Sequence, residues 1–155
     1  GRTGANMTAE TALRLAEIPN IVAIKEASGN LSAIAELMAE CGDSLDVYSG
    51  NDDQIVPVLS LGGKGVISVL SNVMPKETSD MCKLYMEGKT AEALKIQLDL
   101  LPLIDALFME VNPIPVKAAV SKMGFGENYL RLPLTPMEDA HAEKLYALMR
   151  EQNLI

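Results

Sequence analysis

Lys25 closes the apolar run Ile21-Val22-Ala23-Ile24 and is followed at once by Glu26-Ala27-Ser28-Gly29-Asn30. A lysine at the end of a buried strand is partly desolvated, and a desolvated ammonium gives up its proton more readily. The freed amine can attack a carbonyl carbon and form a Schiff base. The commoner fate of such a lysine is to lay its stem along apolar surface and leave its charge in water. Two further loops therefore matter. Gly50-Asn51-Asp52-Asp53 follows the run Leu45–Ser49, and Ser71-Asn72 follows Gly65-Val66-Ile67-Ser68-Val69. Glycines there let backbone amides approach a carboxylate closely. Gly, Asn and Asp are also ordinary turn and cap residues. For Asp52-Asp53, helix capping is the preferred reading over a metal site, which needs more clustered oxygen ligands. Arg2, between two glycines, carries a guanidinium suited to bidentate carboxylate binding. His141 has charged neighbours and no nucleophile beside it, so it is expected to face solvent rather than to act in catalysis.

The elements that must position these residues follow from hydrophobic period and punctuation. Thr8 to about Ala16 suits a helix with Thr8 as N-cap, and Ile21–Lys25 a short strand buried on both faces. Leu31, Ile34, Ala35, Met38 and Cys41 fall at helical spacing before Gly42. Leu45–Ser49 reads as a second strand, Gln54–Leu61 as a helix stopped by Gly62-Gly63, Gly65–Leu70 as a third strand, and Pro75–Glu87 as a helix. Alternating helices and strands with short connections predict parallel β/α units, whose chemistry sits at the strand C-termini. After Gly88 the pattern is helical. A long helix from Thr90 to about Phe108 is expected to kink or break at Pro102. A second starts near Pro115 and ends at Met123-Gly124. A third starts from the capping box Thr135-Pro136-Met137-Glu138. Asn112-Pro113-Ile114-Pro115 and Arg131-Leu132-Pro133-Leu134 are read as devices that set helix entry and a rigid turn. The chain thus divides into residues 1–88, a partial barrel, and 89–155, a helical domain. Three parallel strands cannot close a barrel and leave unpaired edges, so a further segment is expected to cover them. Gly1-Arg2-Thr3-Gly4 reads as the middle of a loop.

With 155 residues, 48% apolar and 22% charged, the chain has the balance of a globular protein. No apolar run approaches the roughly 18 residues of a membrane span. A net charge of −8, no basic cluster and no tryptophan argue against nucleic-acid binding. Cys41 and Cys82 lie apart from each other and from His141, which supports reduced buried thiols over a disulfide or metal site.

Five segments, Gly1-Arg2-Thr3-Gly4, Ile24-Lys25-Glu26-Ala27-Ser28-Gly29, Ser49-Gly50-Asn51-Asp52-Asp53, Gly65-Val66-Ile67-Ser68-Val69 and Asn112-Pro113-Ile114-Pro115-Val116-Lys117, resemble the dihydrodipicolinate synthases in order and spacing. The resemblance covers essentially the whole chain and the C-terminal half or so of those enzymes. It implies an α/β fold in which the three strands are the last three of a (β/α)₈ barrel with a helical extension. It implies a cytoplasmic lyase of lysine and diaminopimelate biosynthesis that needs no cofactor or metal and forms a homotetramer in the family. Lys25 is then the lysine that forms a Schiff base with pyruvate, generating an enamine that adds to L-aspartate 4-semialdehyde. Arg2 corresponds to the arginine that binds the semialdehyde carboxylate, Gly50 to a glycine lining the site, and Ile67 to a pyruvate-binding position acting through its main chain. The family's proton-relay tyrosines and threonine, its pyruvate-carboxylate loop and its lysine-feedback site lie upstream. Tyr48, Tyr85, Tyr129 and Tyr146 do not fall at the relay positions. The 155 residues alone are therefore expected to be inactive, or at best weakly reactive toward pyruvate, and to need the N-terminal barrel segment as partner for full activity. Two alternatives stay open: a sibling aldolase acting on N-acetylneuraminate or a 2-keto-3-deoxy sugar acid, and a half-barrel module without catalysis.

Overall fold

The computed structural model describes residues 3–155, so Gly1 and Arg2 lie outside the described residues. The element order is α1 (Ala9–Ala16), β1 (Ala23–Glu26), α2 (Leu31–Cys41), β2 (Asp46–Ser49), α3 (Ile55–Ser60), β3 (Gly65–Val66), α4 (Pro75–Met86), α5 (Thr90–Leu107), α6 (Ile114–Lys122) and α7 (Asp139–Glu151). The strands form one parallel sheet in the order β1-β2-β3. Lys25 is level with Tyr48, and Tyr48 with Gly65. Residues paired in this way share a face of the sheet.

Local chemistry explains most boundaries. The Thr8 hydroxyl accepts from the Thr11 amide and starts α1, and the Asn30 side chain accepts from Ser32 and Ala33 to start α2. Pro75 begins α4, where its missing N–H costs nothing.

Four expectations need correction. First, β1 is not buried on both faces: Val22 is 66% exposed, and Ala23 and Lys25 are exposed. Among the described residues β1 is an edge strand, paired only with β2. Second, β3 stops at Val66 instead of reaching Leu70. The Ile67 amide still donates to the Ser49 carbonyl at 2.8 Å. The Asp52 carboxylate and the Ser68 hydroxyl then collect the Val69, Leu70 and Ser71 amides and turn the chain into a 3-10 turn at Leu70–Asn72. Third, the helix does not break at Pro102, because α5 runs through it from Thr90 to Leu107. Pro102 sits on the exposed side, as does Leu98, whose carbonyl loses the proline's hydrogen bond and can turn to water. Leu100, Leu103, Ile104 and Leu107 bury the opposite side on both flanks of the proline. Fourth, α7 begins at Asp139 rather than in a Thr135 capping box. Met137 turns into the core, and the Glu110 carboxylate from the α5–α6 connection accepts the Glu138 amide at 3.0 Å.

The core has three apolar clusters. One joins Leu70, Val73 and Met74 to α5, α6 and α7. A second packs α1 and α2 on Leu45, Val47 and Val58. The third joins Ile55, Val56, Leu59 and Met81 to Ala93 of α5. Apolar packing is thus continuous across residue 88.

Candidate active site

Lys25, Gly50 and Ile67 stand at the C-terminal ends of β1, β2 and β3, on neighbouring strands. Alternation along β1 sends Lys25 to one face and Ile24 and Glu26 to the other. The Lys25 side chain is exposed and makes no hydrogen bond or ion pair with any described residue. Its amine is therefore not neutralised by a neighbouring carboxylate.

Gly50 sets where the lysine stem can lie. Its amide donates to the Glu26 carbonyl at 2.6 Å, clamping the β2 end to the residue after Lys25. A methyl group at Gly50 would stand 2.7 Å from Lys25 Cε, 2.6 Å from Ala27 Cβ and 3.1 Å from the Glu26 carbonyl oxygen. Only a residue without Cβ leaves the stem in that place. Ile67 is half exposed. Because its amide is already given to Ser49, the main-chain atom it has left to offer is the carbonyl oxygen. A carbonyl accepts hydrogen bonds, so it can meet an ammonium, an iminium N–H or a hydroxyl, and it cannot bind a carboxylate.

The loops behind these residues are held by side chains that pattern reading had passed over. Ser49 is buried, donates its hydroxyl to the Asn51 carbonyl at 2.8 Å and accepts from the Asn51 amide. Glu26 accepts the Ser28 amide at 2.9 Å and shapes the turn after Lys25. The Gln54 side chain donates to the Gly29 carbonyl at 3.0 Å and ties that turn to the start of α3. Asp52 caps a helical turn, as preferred, but the turn is the one after β3 rather than its own. Gln97 holds the β2–α3 loop from α5. Its detectable signal was a polar residue at i+4 from Ala93 and three before Leu100, in a buried stripe.

A cleft of about 640 Å³ opens beside Lys25, between α1 and α2, lined by Lys25, Glu26, Ser28, Glu10, Glu36 and Glu40 among others. Four glutamates make it a poor home for a carboxylate. His141 does not face solvent freely: its Nδ1 lies 2.7 Å from Glu110 Oε1 and 3.8 Å from Glu138 Oε2. Glu110, Glu138 and His141 offer ligand atoms within 4.8 Å of one another. Glu110 is already engaged by His141 and by the α7 N-terminus, so the group serves as an anchor for α7. Burial raises the Cys82 thiol pKa, and burial followed by the Glu40 charge raises that of Cys41.

The chain matches known proteins over essentially its whole length. The model of the dihydrodipicolinate synthetase family matches residues 1–152. The chain belongs to that family. A 4-hydroxy-tetrahydrodipicolinate synthase from Clostridium novyi (strain NT) is 56% identical over 152 residues, which are 98% of this chain and 51% of the relative. One from Alkaliphilus oremlandii (strain OhILAs) is 52% identical, over 99% of this chain and 53% of the relative. The crystal structure of dihydrodipicolinate synthase from Thermotoga maritima superposes with a TM-score of 0.96 at 43% identity, over 99% of this chain and 53% of that one. The chain spans about half the length of the relatives it matches. Within the family fold its three parallel strands are the C-terminal portion of a (β/α)₈ barrel, followed by the helical extension. No helix among the described residues is long and apolar enough to cross a membrane.

Proposed function

We propose that Lys25 is the Schiff-base lysine of a pyruvate-condensing lyase, and that the whole protein is a 4-hydroxy-tetrahydrodipicolinate synthase. The observation that carries this reading is the contact of Gly50 with the stem of an otherwise unpartnered lysine at the active end of a parallel sheet. In this reading the Lys25 amine adds to the keto carbon of pyruvate, and loss of water leaves an iminium. The iminium withdraws electrons, so the adjacent methyl loses a proton and becomes an enamine carbon that attacks the aldehyde of L-aspartate 4-semialdehyde. Gly50 keeps the stem in its groove, and the Ile67 carbonyl accepts from the nitrogen or from the hydroxyl of the addition intermediate. The substrates lie on the Gly50 and Ile67 side, since the four glutamates of the cleft between α1 and α2 repel the carboxylate that each substrate carries. Arg2, outside the described residues, is assigned the semialdehyde carboxylate.

The same reading assigns residues 1–88 to the barrel and 89–155 to the helical extension. An N-terminal barrel segment would pair with the β1 edge, cover Lys25 and bring the proton-relay groups. The same reading makes the protein a homotetramer in the cytoplasm, which the family resemblance supports. The 155 residues alone would then turn over no semialdehyde. The test joins this chain to the N-terminal half of the Clostridium novyi relative and supplies pyruvate with either aspartate semialdehyde or sugar-derived aldehydes. Turnover of the semialdehyde, abolished by Lys25→Arg, is expected. Preference for a sugar aldehyde would move the protein to a sibling activity, and no turnover of either would leave the non-catalytic reading.

A further inference from the structure

Asp52 is 1% exposed and Gln97 3% exposed, and both are polar in an otherwise apolar interior. Asp52 Oδ2 accepts the amides of Val69 and Leu70, each at 2.9 Å. No described basic side chain pairs with this carboxylate: two backbone N–H groups at the head of a 3-10 turn are the partners of Oδ2, and Oδ1 is buried without one. Gln97 Nε2 donates to the Asp52 carbonyl at 2.7 Å, while Gln97 Oε1 accepts the Val56 amide at 3.1 Å. The connection runs from α5 through Gln97 to Asp52 and on to the segment leaving β3. Each anchored point lies two residues from a site position: Asp52 from Gly50, and Val69 from Ile67.

We infer that Asp52 and Gln97 are positioning residues that hold the Gly50 loop and the Ile67 loop in one relative placement, so that α5 sets the affinity of the site for pyruvate. The inference rests on the functional reading above and adds a control point to it. Neither side chain touches the reacting atoms. Removing the Asp52 carboxylate frees the Val69 and Leu70 amides, and the Ile67 carbonyl loses its fixed position opposite Gly50. A conservative amide keeps an oxygen that can accept both N–H groups, as Oδ2 does. Loss of Gln97 loosens the same loop one step earlier and has a smaller effect.

The deciding experiment uses a full-length chain, this segment joined to the N-terminal half of the Clostridium novyi relative. It measures the pyruvate concentration that half-saturates borohydride labelling of Lys25, the maximal labelling rate, and hydrogen exchange at Val69 and Leu70. Asp52→Ala is expected to raise half-saturating pyruvate about tenfold, hold the maximal rate within about threefold, and speed exchange at both amides at least about tenfold. Asp52→Asn should recover most of the affinity, and Gln97→Leu should shift it about threefold in the same direction. Should Asp52→Ala fail to fold, the asparagine and leucine variants carry the same readouts. Variants that lower the unfolding midpoint without shifting half-saturation, or that lower rate and affinity in parallel, would overturn the inference. If the unsubstituted chain is not labelled at all, the functional reading falls and the inference falls with it as stated. Exchange then still decides the connection itself, because amides that stay protected in Asp52→Ala contradict it.

Discussion

The two ends of this molecule are built to different standards of burial. In the α5–α7 region, Leu103, Leu107, Leu145 and Met149 are almost fully buried in one cluster. Around β1, Val22, Ile18, Leu13 and Leu31 are all substantially exposed, and the lysine assigned the chemistry is exposed with them. Cohesion is concentrated in the helical part, whereas the sheet edge offers reactive groups that the described residues do not cover. The positions that shape the Lys25 surroundings, Gly50 and Ile67, lie on the two strands farther from that edge and are tied to α5 through Asp52 and Gln97. The helical extension is therefore more than an appendage, because Gln97 of α5 holds the loop after β2, and Asp52 of that loop holds the segment after β3.

Substitutions can break or sharpen that contrast. The largest effect is expected from Leu107→Ala, which should lower unfolding free energy by about 2–5 kcal/mol in a denaturant titration, whereas Val22→Ala should stay within about 0.5 kcal/mol. Comparable costs at the two positions would erase the distinction. Next comes Gly50→Ala, for which labelling of Lys25 by pyruvate and borohydride should fall at least about tenfold and unfolding free energy should drop by about 1–3 kcal/mol, because the added methyl meets Ala27 and the lysine stem. A variant labelled at the normal rate would remove Gly50 from the account. Glu110→Ala should cost about 1 kcal/mol by uncapping α7 and freeing His141. The smallest effect concerns the thiols. Burial holds the Cys41 and Cys82 thiols protonated above the ordinary value of 9.0, so alkylation at pH 8 should be slow and should accelerate on denaturation. Because folding favours the protonated form, their contribution to stability is intact below about pH 9 and declines as pH climbs through the raised values.

Much of the fold was legible because short-range rules decided it. Thr8 and Asn30 cap the helices they precede, and apolar runs bounded by glycine became parallel strands. The errors arose where a distant side chain outcompeted a local signal. Glu110, 28 residues before Glu138, supplies the α7 cap in place of Thr135. Asp52 collects amides 17 and 18 residues later and so shortens β3. Pro102 breaks nothing because its face of α5 is wet while the opposite face is locked in the core. The burial expected for Ile21–Lys25 failed for another reason: four apolar residues specify a strand that wants covering, and the described residues cover only one side of it. Lys25 stands out at its strand end, Gly50 and Ile67 were implied by the family resemblance, and the structure brings the three strand ends side by side. The Gly50 methyl clash and the spent Ile67 amide required coordinates, since neither follows from residue type.

The most direct test of the account is to incubate the completed full-length chain with pyruvate, reduce with borohydride, digest and map the adduct by mass spectrometry. A single reduced pyruvate adduct is expected on Lys25, lost in Lys25→Arg. An adduct on another lysine, or none at saturating pyruvate, would contradict it.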